Sequence, residues 1–324
     1  MNSRERFSEV MRFGSPDRVP YFQEGIRSEV LKAWRKQGLA RGTDLERLFP
    51  SDRFEELETN VDPIPAIENW PVSVSELGVL RKSLNPDEKS RLPKDMRAHA
   101  RAGRGRDYTL FLRVHRGFFL SMGVRGWNRF SKVIQSLVFD PQLVRESMRV
   151  QGEFAAKLAE RVLRMVDVDA VLFSEPIGGN DRPLISPRMY EEFVLKSYEP
   201  VLATIRQHGV ETIIFRTYAN ARALIPSVLK WGFNCLWACE VNIEAMDYGD
   251  LRQEFGQDLR LIGGIDLDAL RHGEDAIRRE IEEKVPPLLA EGGYVPLADG
   301  RIREDISFEN YVYYRRLLQT ITQR

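Results

Sequence analysis

The stretch Val168-Asp169-Ala170-Val171-Leu172-Phe173, followed through Ser186-Pro187 by a helical repeat from Arg188 to about His208 and then by Thr212-Ile213-Ile214-Phe215, decides the fold. A short apolar run reads as a buried strand, and a longer run with apolar residues every three or four positions reads as a helix laid against it. Ser186 stands at the cap position and Pro187 in the first turn, where a helix tolerates a missing N–H. The pattern continues downstream. A helix from about Ala221 to Lys230 precedes a strand Asn234-Cys235-Leu236-Trp237, and Met246 to Phe255 precedes Leu259-Arg260-Leu261-Ile262. Glu274 to about Leu289 precedes Gly293-Tyr294-Val295-Pro296-Leu297, and Phe308 to Ile321 closes the series. Five strand-then-helix units imply parallel strands, because parallel neighbours need a crossover between them.

Upstream, Arg18 to Phe22 and Tyr108 to Val114 read as two further strands, with a weaker candidate between residues 54 and 68. A total of about eight favours a closed barrel over an open sheet. The expected architecture is α/β: one (β/α)8 TIM barrel domain over residues 1–324, with an N-terminal helical extension and an insertion near residues 75–106. No G-x-G-x-x-G follows the first strand and no G-x-x-x-x-G-K-[ST] occurs, which weakens a nucleotide-binding reading. The segment Arg81 to Arg106 breaks the pattern with nine Lys/Arg and two prolines. It reads as a solvated insertion, with a lid or anion-binding loop as the alternative.

The chain has 324 residues, 43% of them apolar and 30% charged, enough for a large core. Lys+Arg and Asp+Glu both number 48, and a zero balance argues against nucleic acid as a partner. No apolar run approaches the length of a membrane span, and the charged N-terminus has no apolar segment of a secretory signal. Cys235 and Cys239 make no disulfide framework, so a cytoplasmic protein is expected.

In a parallel barrel the chemistry sits at the C-terminal ends of the strands. Those ends read Ser174-Glu175, Arg216-Thr217-Tyr218-Ala219-Asn220, Ala238-Cys239-Glu240, Gly263-Gly264-Ile265-Asp266 and Ala298-Asp299-Gly300-Arg301. Each has a plain alternative. Arg216 and Glu240 would form a structural ion pair, Asp266 would cap the next helix, Asp299 would serve a turn, and Cys239 would be an inert thiol. The glycines before Asp266 would permit close backbone approach, to a ligand in the functional reading. Clustering at all five ends favours a polar site that accommodates an anion. The expected catalytic residues are Glu175, Arg216, Tyr218 and Glu240. Asn220, Cys239, Asp266, Asp299, Arg301 and His115 are expected to bind substrate. His99, His208 and His272 lie away from strand ends, and Cys235 and Cys239 share one strand face without chelating, so no metal site is expected.

Asp17-Arg18-Val19-Pro20, Pro183-Leu184-Ile185-Ser186-Pro187, Gly263-Gly264-Ile265-Asp266, and Gly292-Gly293-Tyr294-Val295-Pro296 followed by Phe308-Glu309-Asn310-Tyr311 resemble the uroporphyrinogen decarboxylase superfamily. The resemblance runs from about residue 3 to residue 320 and is nearest to the methyltransferase-like branch, whose enzymes move methyl groups between corrinoid proteins and acceptors. It implies a single (β/α)8 barrel. The chain departs from both branches at the site. The Arg-Gln-Ala-Gly-Arg segment of true decarboxylases is replaced by Tyr21-Phe22-Gln23-Glu24-Gly25-Ile26-Arg27, and Ser174 or Glu175 takes the place of their catalytic aspartate. The His-x-Cys-Gly-Asn of zinc methyltransferases is replaced by Arg216-Thr217-Tyr218-Ala219-Asn220, and their further cysteine falls around Ala298-Asp299-Gly300. Of the family's polar set, Glu240 and Asp299 remain.

Three functions follow as expectations. The leading one is methyl transfer between a small O-methyl substrate and a corrinoid on a partner protein, by acid catalysis without the usual zinc and with no tightly bound cofactor. Arg216 and Tyr218 would hold the leaving oxygen, and Glu175 or Glu240 would supply the proton. The second is decarboxylation of a small acid, with Arg216 anchoring the carboxylate. The third is a non-catalytic barrel that binds a tetrapyrrole or a partner protein. A homodimer through Trp127 or Trp231 also accords with the resemblance.

Overall fold

The computed structural model describes residues 1–239 and 245–323. These fall into two compact units, one of residues 55–106 and 110–234, the other of residues 1–54, 107–109 and 235 onward. Both are built from parallel strands taken in chain order with helices between them, the β/α repeat of a TIM-type barrel. Among the described residues no helix is long and apolar enough to cross a membrane.

The first unit carries β1 (Phe54–Glu58), β2 (Thr109–His115), β3 (Ala170–Glu175) and β4 (Thr212–Tyr218). β1 neighbours β2, and β2 to β4 pair in parallel. The pairing sets Leu112 opposite Val171, Phe173 opposite Phe215, Ser174 opposite Arg216, and Glu175 opposite Thr217. The long helix Pro141–Leu163 starts under the Asp140 side chain, which accepts from the Leu143 N–H at 3.2 Å, with Pro141 in the first turn. It packs against a second helix that runs from Pro187 to Gln207, capped by Ser186 Oγ accepting from Met189 N–H at 3.3 Å. The middle of that second helix, Tyr190–Leu195, is π-helical.

The insertion between β1 and β2 is more than a solvated charge run. Leu77, Leu80 and Leu84 pack with Leu143, Val150, Phe154 and Leu158 of the long helix in one apolar cluster. Arg91 is buried, and its guanidinium donates to the carbonyls of Asn60, Asp62, Ser83 and Asn85 at 2.6–2.9 Å. Arg106 pairs with Asp169 at 2.6 Å, both side chains almost wholly enclosed. Two of the nine cations are therefore internal ties. The reason is geometric, since a guanidinium has five donors and can satisfy several loop carbonyls at once.

The second unit carries β5 (Cys235–Cys239), β6 (Arg260–Ile265) and β7 (Tyr294–Ala298), paired in parallel in that order. The expected strand at Arg18–Phe22 is absent, so the described residues form seven strands and not eight. Pro20 offers no N–H, and the Tyr21 N–H goes to the Asp52 carboxylate at 2.7 Å, leaving no ladder to extend. The same carboxylate accepts from Ser3 Oγ and from the guanidinia of Arg6 and Arg18, and Asp17 pairs with Arg6 at 2.7 Å. The Asp17-Arg18-Val19-Pro20 motif thus ties down the first helix, Ser3–Met11.

Candidate active site

The strands reach further than the apolar runs that announce them. β3 ends on Glu175, β4 on Tyr218 and β5 on Cys239, so residues expected in loops are strand residues. Successive side chains on a strand point to opposite faces, and this sorts the expected site into two groups. Ser174, Arg216 and Tyr218 share one face of the sheet. Glu175, Thr217 and, across a bulge, His115 share the other, beneath the helices.

On the first face, Arg216 donates through Nη1 to Glu56 Oε1 at 2.7 Å, with the two side chains only 12% and 17% exposed. Arg216 therefore pairs with Glu56 of β1, a residue outside the expected set; its expected partner Glu240 lies outside the described residues. A flat sheet would place β1 and β4 three strand spacings apart, roughly 14 Å. The contact shows that the four strands curl. Two residues along β1, Glu58 pairs with Arg113 of β2. Glu56, Glu58, Arg113, Ser174, Arg216 and Tyr218 thus make a polar lining on a strand face, where apolar residues would be the rule. The weaker strand candidate between residues 54 and 68 holds β1, but nothing in its sequence hints that a guanidinium three strands away will meet Glu56.

At the ends of β1 and β2 lies a cavity of about 360 Å³ lined by Glu58, Thr59, Asn60, Val61, Asp62, Arg113, His115 and Arg116. Arg116 pairs with Asp62. Two guanidinia on one small cavity suit a carboxylate or another oxyanion.

Under the helices, Glu175 is 1% exposed and His115 4%. The Glu175 carboxyl takes the Phe118 N–H at 2.8 Å on Oε1 and faces the hydroxyls of Tyr198 at 2.7 Å and Tyr190 at 3.3 Å on Oε2. Burial pushes its pKa up to about 7, against the lowering effect of those hydrogen bonds. His115 Nδ1 accepts from the Gly117 N–H at 3.0 Å and lies 3.0 Å from the Tyr198 hydroxyl, while Nε2 lies 3.3 Å from Ser121 Oγ. Burial, helped by the neighbouring Arg116, lowers the His115 pKa to about 3, so the ring is neutral. Gly117 is indispensable to this arrangement. Its φ is +98°, and a Cβ there would lie 2.8 Å from Glu175 Oε1 and 2.7 Å from Pro176 Cδ. Glu175 and His115, expected in different roles, are thus brought together, and Tyr190, Tyr198 and Gly117 join them unforeseen.

Asn220 fastens two loops. Its Nδ2 donates to the Asp181 carbonyl and its N–H to the Gly179 carbonyl, each at 2.9 Å. Gly178 approaches Tyr218 so closely that a Cβ would lie 2.0 Å from the carbonyl oxygen. Ala219, at φ +53°, turns the chain between them. In the second unit Cys239 and Cys235 are buried, and burial pushes the Cys235 thiol up to about 12. Asp266 does not cap the next helix, as its plain alternative had it: Glu274–Glu291 starts after Gly273, and Asp266 Oδ1 instead accepts from the Asp268 N–H at 2.7 Å in a local turn. Burial raises the Asp266 pKa, with Glu280 adding to the effect. The Asp299 N–H donates to the Ile265 carbonyl at 2.8 Å, and Arg301 is exposed. Gly263 and Gly264 make room for the Tyr248 side chain. A Cβ on Gly264 would meet the Tyr248 ring at 2.5 Å, and the Tyr248 hydroxyl links the Ile262 carbonyl to the Ala238 N–H.

Among the described residues no three His, Cys, Asp or Glu side chains are grouped to hold a metal ion. The donor chemistry at β4 is also unsuited to one, since a guanidinium stands where the resemblance would place a zinc ligand. No curated protein matches the chain. A family model described as uroporphyrinogen decarboxylase (URO-D) matches residues 57–295, which takes in all four strands of the polar lining except the first residues of β1. With the β/α repeat and a match over most of its length, the chain belongs to the uroporphyrinogen decarboxylase family.

Proposed function

We propose that the protein is an enzyme that moves a methyl group from a small O-methyl substrate to a corrinoid carried by a partner protein. The observation that supports this most is the enclosed Arg216–Glu56 pair on the polar face at the strand ends. A carboxylate already sits where a substrate oxyanion would sit. A phenolate or alkoxide developing as the methyl group departs would take over the Arg216 guanidinium, a fork that stays charged throughout. Tyr218, two residues along the same strand face, would donate a hydrogen bond to that oxygen, and Glu56, displaced as a carboxylate, would take a proton from water and pass it to the oxygen, leaving hydroxide to the solvent. The bond broken is methyl–oxygen, the methyl leaves without its bonding electrons, and the oxygen departs as a hydroxyl once protonated. The corrinoid would supply the nucleophile that accepts the methyl. No step is assigned to zinc.

A second reading, decarboxylation of a small acid, draws on Arg113 and Arg116 around the cavity at the ends of β1 and β2. The two readings part on products. Purified protein is incubated with O-methyl aromatic and aliphatic substrates plus a reduced corrinoid, and separately with small carboxylic acids. Methylated corrinoid that disappears in Arg216→Ala and falls at least tenfold in Glu56→Gln supports methyl transfer. Carbon dioxide release without corrinoid methylation replaces it with the second reading. Methylation unchanged in both variants refutes the assigned roles.

A further inference from the structure

A larger cavity, of about 700 Å³, is not used by the reaction proposed above. Its walls come from the segments that follow β1 and β2, and it meets the smaller cavity at an ion pair. Arg125 on its wall donates to Asp62 on the smaller one at 3.0 Å. The apolar side of the larger cavity is fixed in place. Trp70 and Ile67 pack on the cluster formed by Leu77, Leu80 and the long helix. The Gly123 backbone presses so closely on the Trp70 ring that a Cβ there would lie 2.1 Å from Cε2. Val72 and Val79, on the same wall, are 65% and 51% exposed. Apolar side chains held open to solvent around a volume within the range of small-molecule sites, roughly 300–1,000 Å³, favour a ligand with an apolar body.

The remaining wall is cationic and lacks a counter-charge. Arg129 and Lys132 are three residues apart on the helix Trp127–Phe139, hence neighbours on its surface, where like charges repel. Arg129 is tied by its Nε, which donates to the Met122 carbonyl at 3.0 Å, and its guanidinium lies 5.6 Å from the centre of the Trp70 ring. Among the described residues no carboxylate pairs with Arg129 or Lys132, and the two Nη groups of Arg129 have no protein acceptor. The acids nearby are committed elsewhere or turned to solvent. Asp62 is taken by Arg116 and Arg125, Glu76 accepts from the Val72 N–H at 2.8 Å, and Glu68 is exposed. Burial lowers the Arg129 pKa, with no acid close enough to oppose it.

We propose that this cavity is a second ligand site, which binds a small amphipathic carboxylate with its oxyanion on Arg129 and Lys132 and its apolar body against Trp70, Val72 and Val79. The free edge of the Arg129 guanidinium suits a carboxylate held by two hydrogen bonds. Its half-buried position makes the attraction stronger than at an open surface. A purely polar anion would leave the valines and the indole wet, and a neutral arene would leave both cations unanswered. Only a ligand with both parts uses both walls. The site is separate from the Arg216–Glu56 pair, and its occupancy does not depend on the methyl-transfer reading.

Isothermal titration calorimetry of the full chain tests this, with 2-naphthoate as the probe and 2-naphthalenemethanol and acetate as its neutral and its polar counterparts. 2-Naphthoate should bind at a single site, more weakly as salt is added, and the alcohol and acetate should bind at least about tenfold more weakly. Arg129→Gln should weaken 2-naphthoate about tenfold, and Lys132→Gln, at an exposed position, about threefold. Arg113→Gln removes a cation from the smaller cavity and should leave the affinity in place. No binding heat with 2-naphthoate at about 5 mM overturns the proposal. So does an alcohol that binds as tightly, an affinity unchanged in Lys132→Gln, or an affinity lost in folded Arg113→Gln, which would put the probe in the smaller cavity. Lys132→Gln decides even if Arg129→Gln fails to fold. Because no turnover is measured, a failed methyl-transfer assay leaves this result independent.

Discussion

Replacing Glu175 by Gln should make the protein more stable at alkaline pH and leave it nearly unchanged in acid. Burial raises the carboxyl from 4.5 to about 7, which makes the ionised form costlier in the fold by about 3 kcal/mol at roughly 1.4 kcal/mol per tenfold. The sign follows from proton uptake. Between those two values the folded protein holds a proton that the unfolded chain has lost, so the favourable contribution is complete below 4.5 and is lost as pH rises through about 7. Glutamine keeps the shape, with its amide donating to Tyr198 and its oxygen accepting from Phe118, and it does not titrate. Urea unfolding of both proteins at pH 5 and pH 8 measures the effect. The stability difference between variant and wild type should grow in favour of the variant by about 2–3 kcal/mol across that interval. A constant difference would show that Glu175 has an ordinary carboxyl pKa in the fold.

Gly117→Ala should lower stability by about 2 kcal/mol or more, since the new methyl meets the Glu175 carboxyl and Pro176 at a positive φ; thermal unfolding checks this, and an unchanged midpoint would refute the close packing. Arg91→Met strands four loop carbonyls that the guanidinium now serves and should cost about 2–4 kcal/mol in a denaturant titration. Early proteolytic cutting within residues 77–106 should accompany the loss. Gly264→Ala sets a methyl against the Tyr248 ring at a φ of +81° and should destabilise, and Tyr248→Phe, which removes hydrogen bonds to two strands, should cost about 1 kcal/mol in the same assay.

The sequence by itself determined the β/α alternation, because a buried parallel strand must be apolar along its length and its covering helix must be apolar on one side. Strands at 170–175, 212–218, 235–239, 260–265 and 294–298 all lie on runs legible in the primary structure. Local chemistry was legible too: Ser186 as a cap acts within a few positions of itself. Arg18–Phe22 was misleading because its apolar residues look like those of a strand, while its backbone donor is claimed by Asp52, a partner 31 residues away.

What only the tertiary structure decided is which polar residues meet. Ser174 and Glu175 are neighbours in the chain and belong to opposite faces of the sheet, a consequence of a two-residue period that becomes decisive once the strand is known to run past Phe173. Arg216 finds Glu56 across 160 residues because the sheet curls, and Glu175 finds Tyr198 because one extra residue is wound into a helix. Neither curl nor winding has a local signature. Pairings of this kind depend on the path of the backbone through space, and they determine which carboxyl is held by a guanidinium and which is buried among tyrosine hydroxyls.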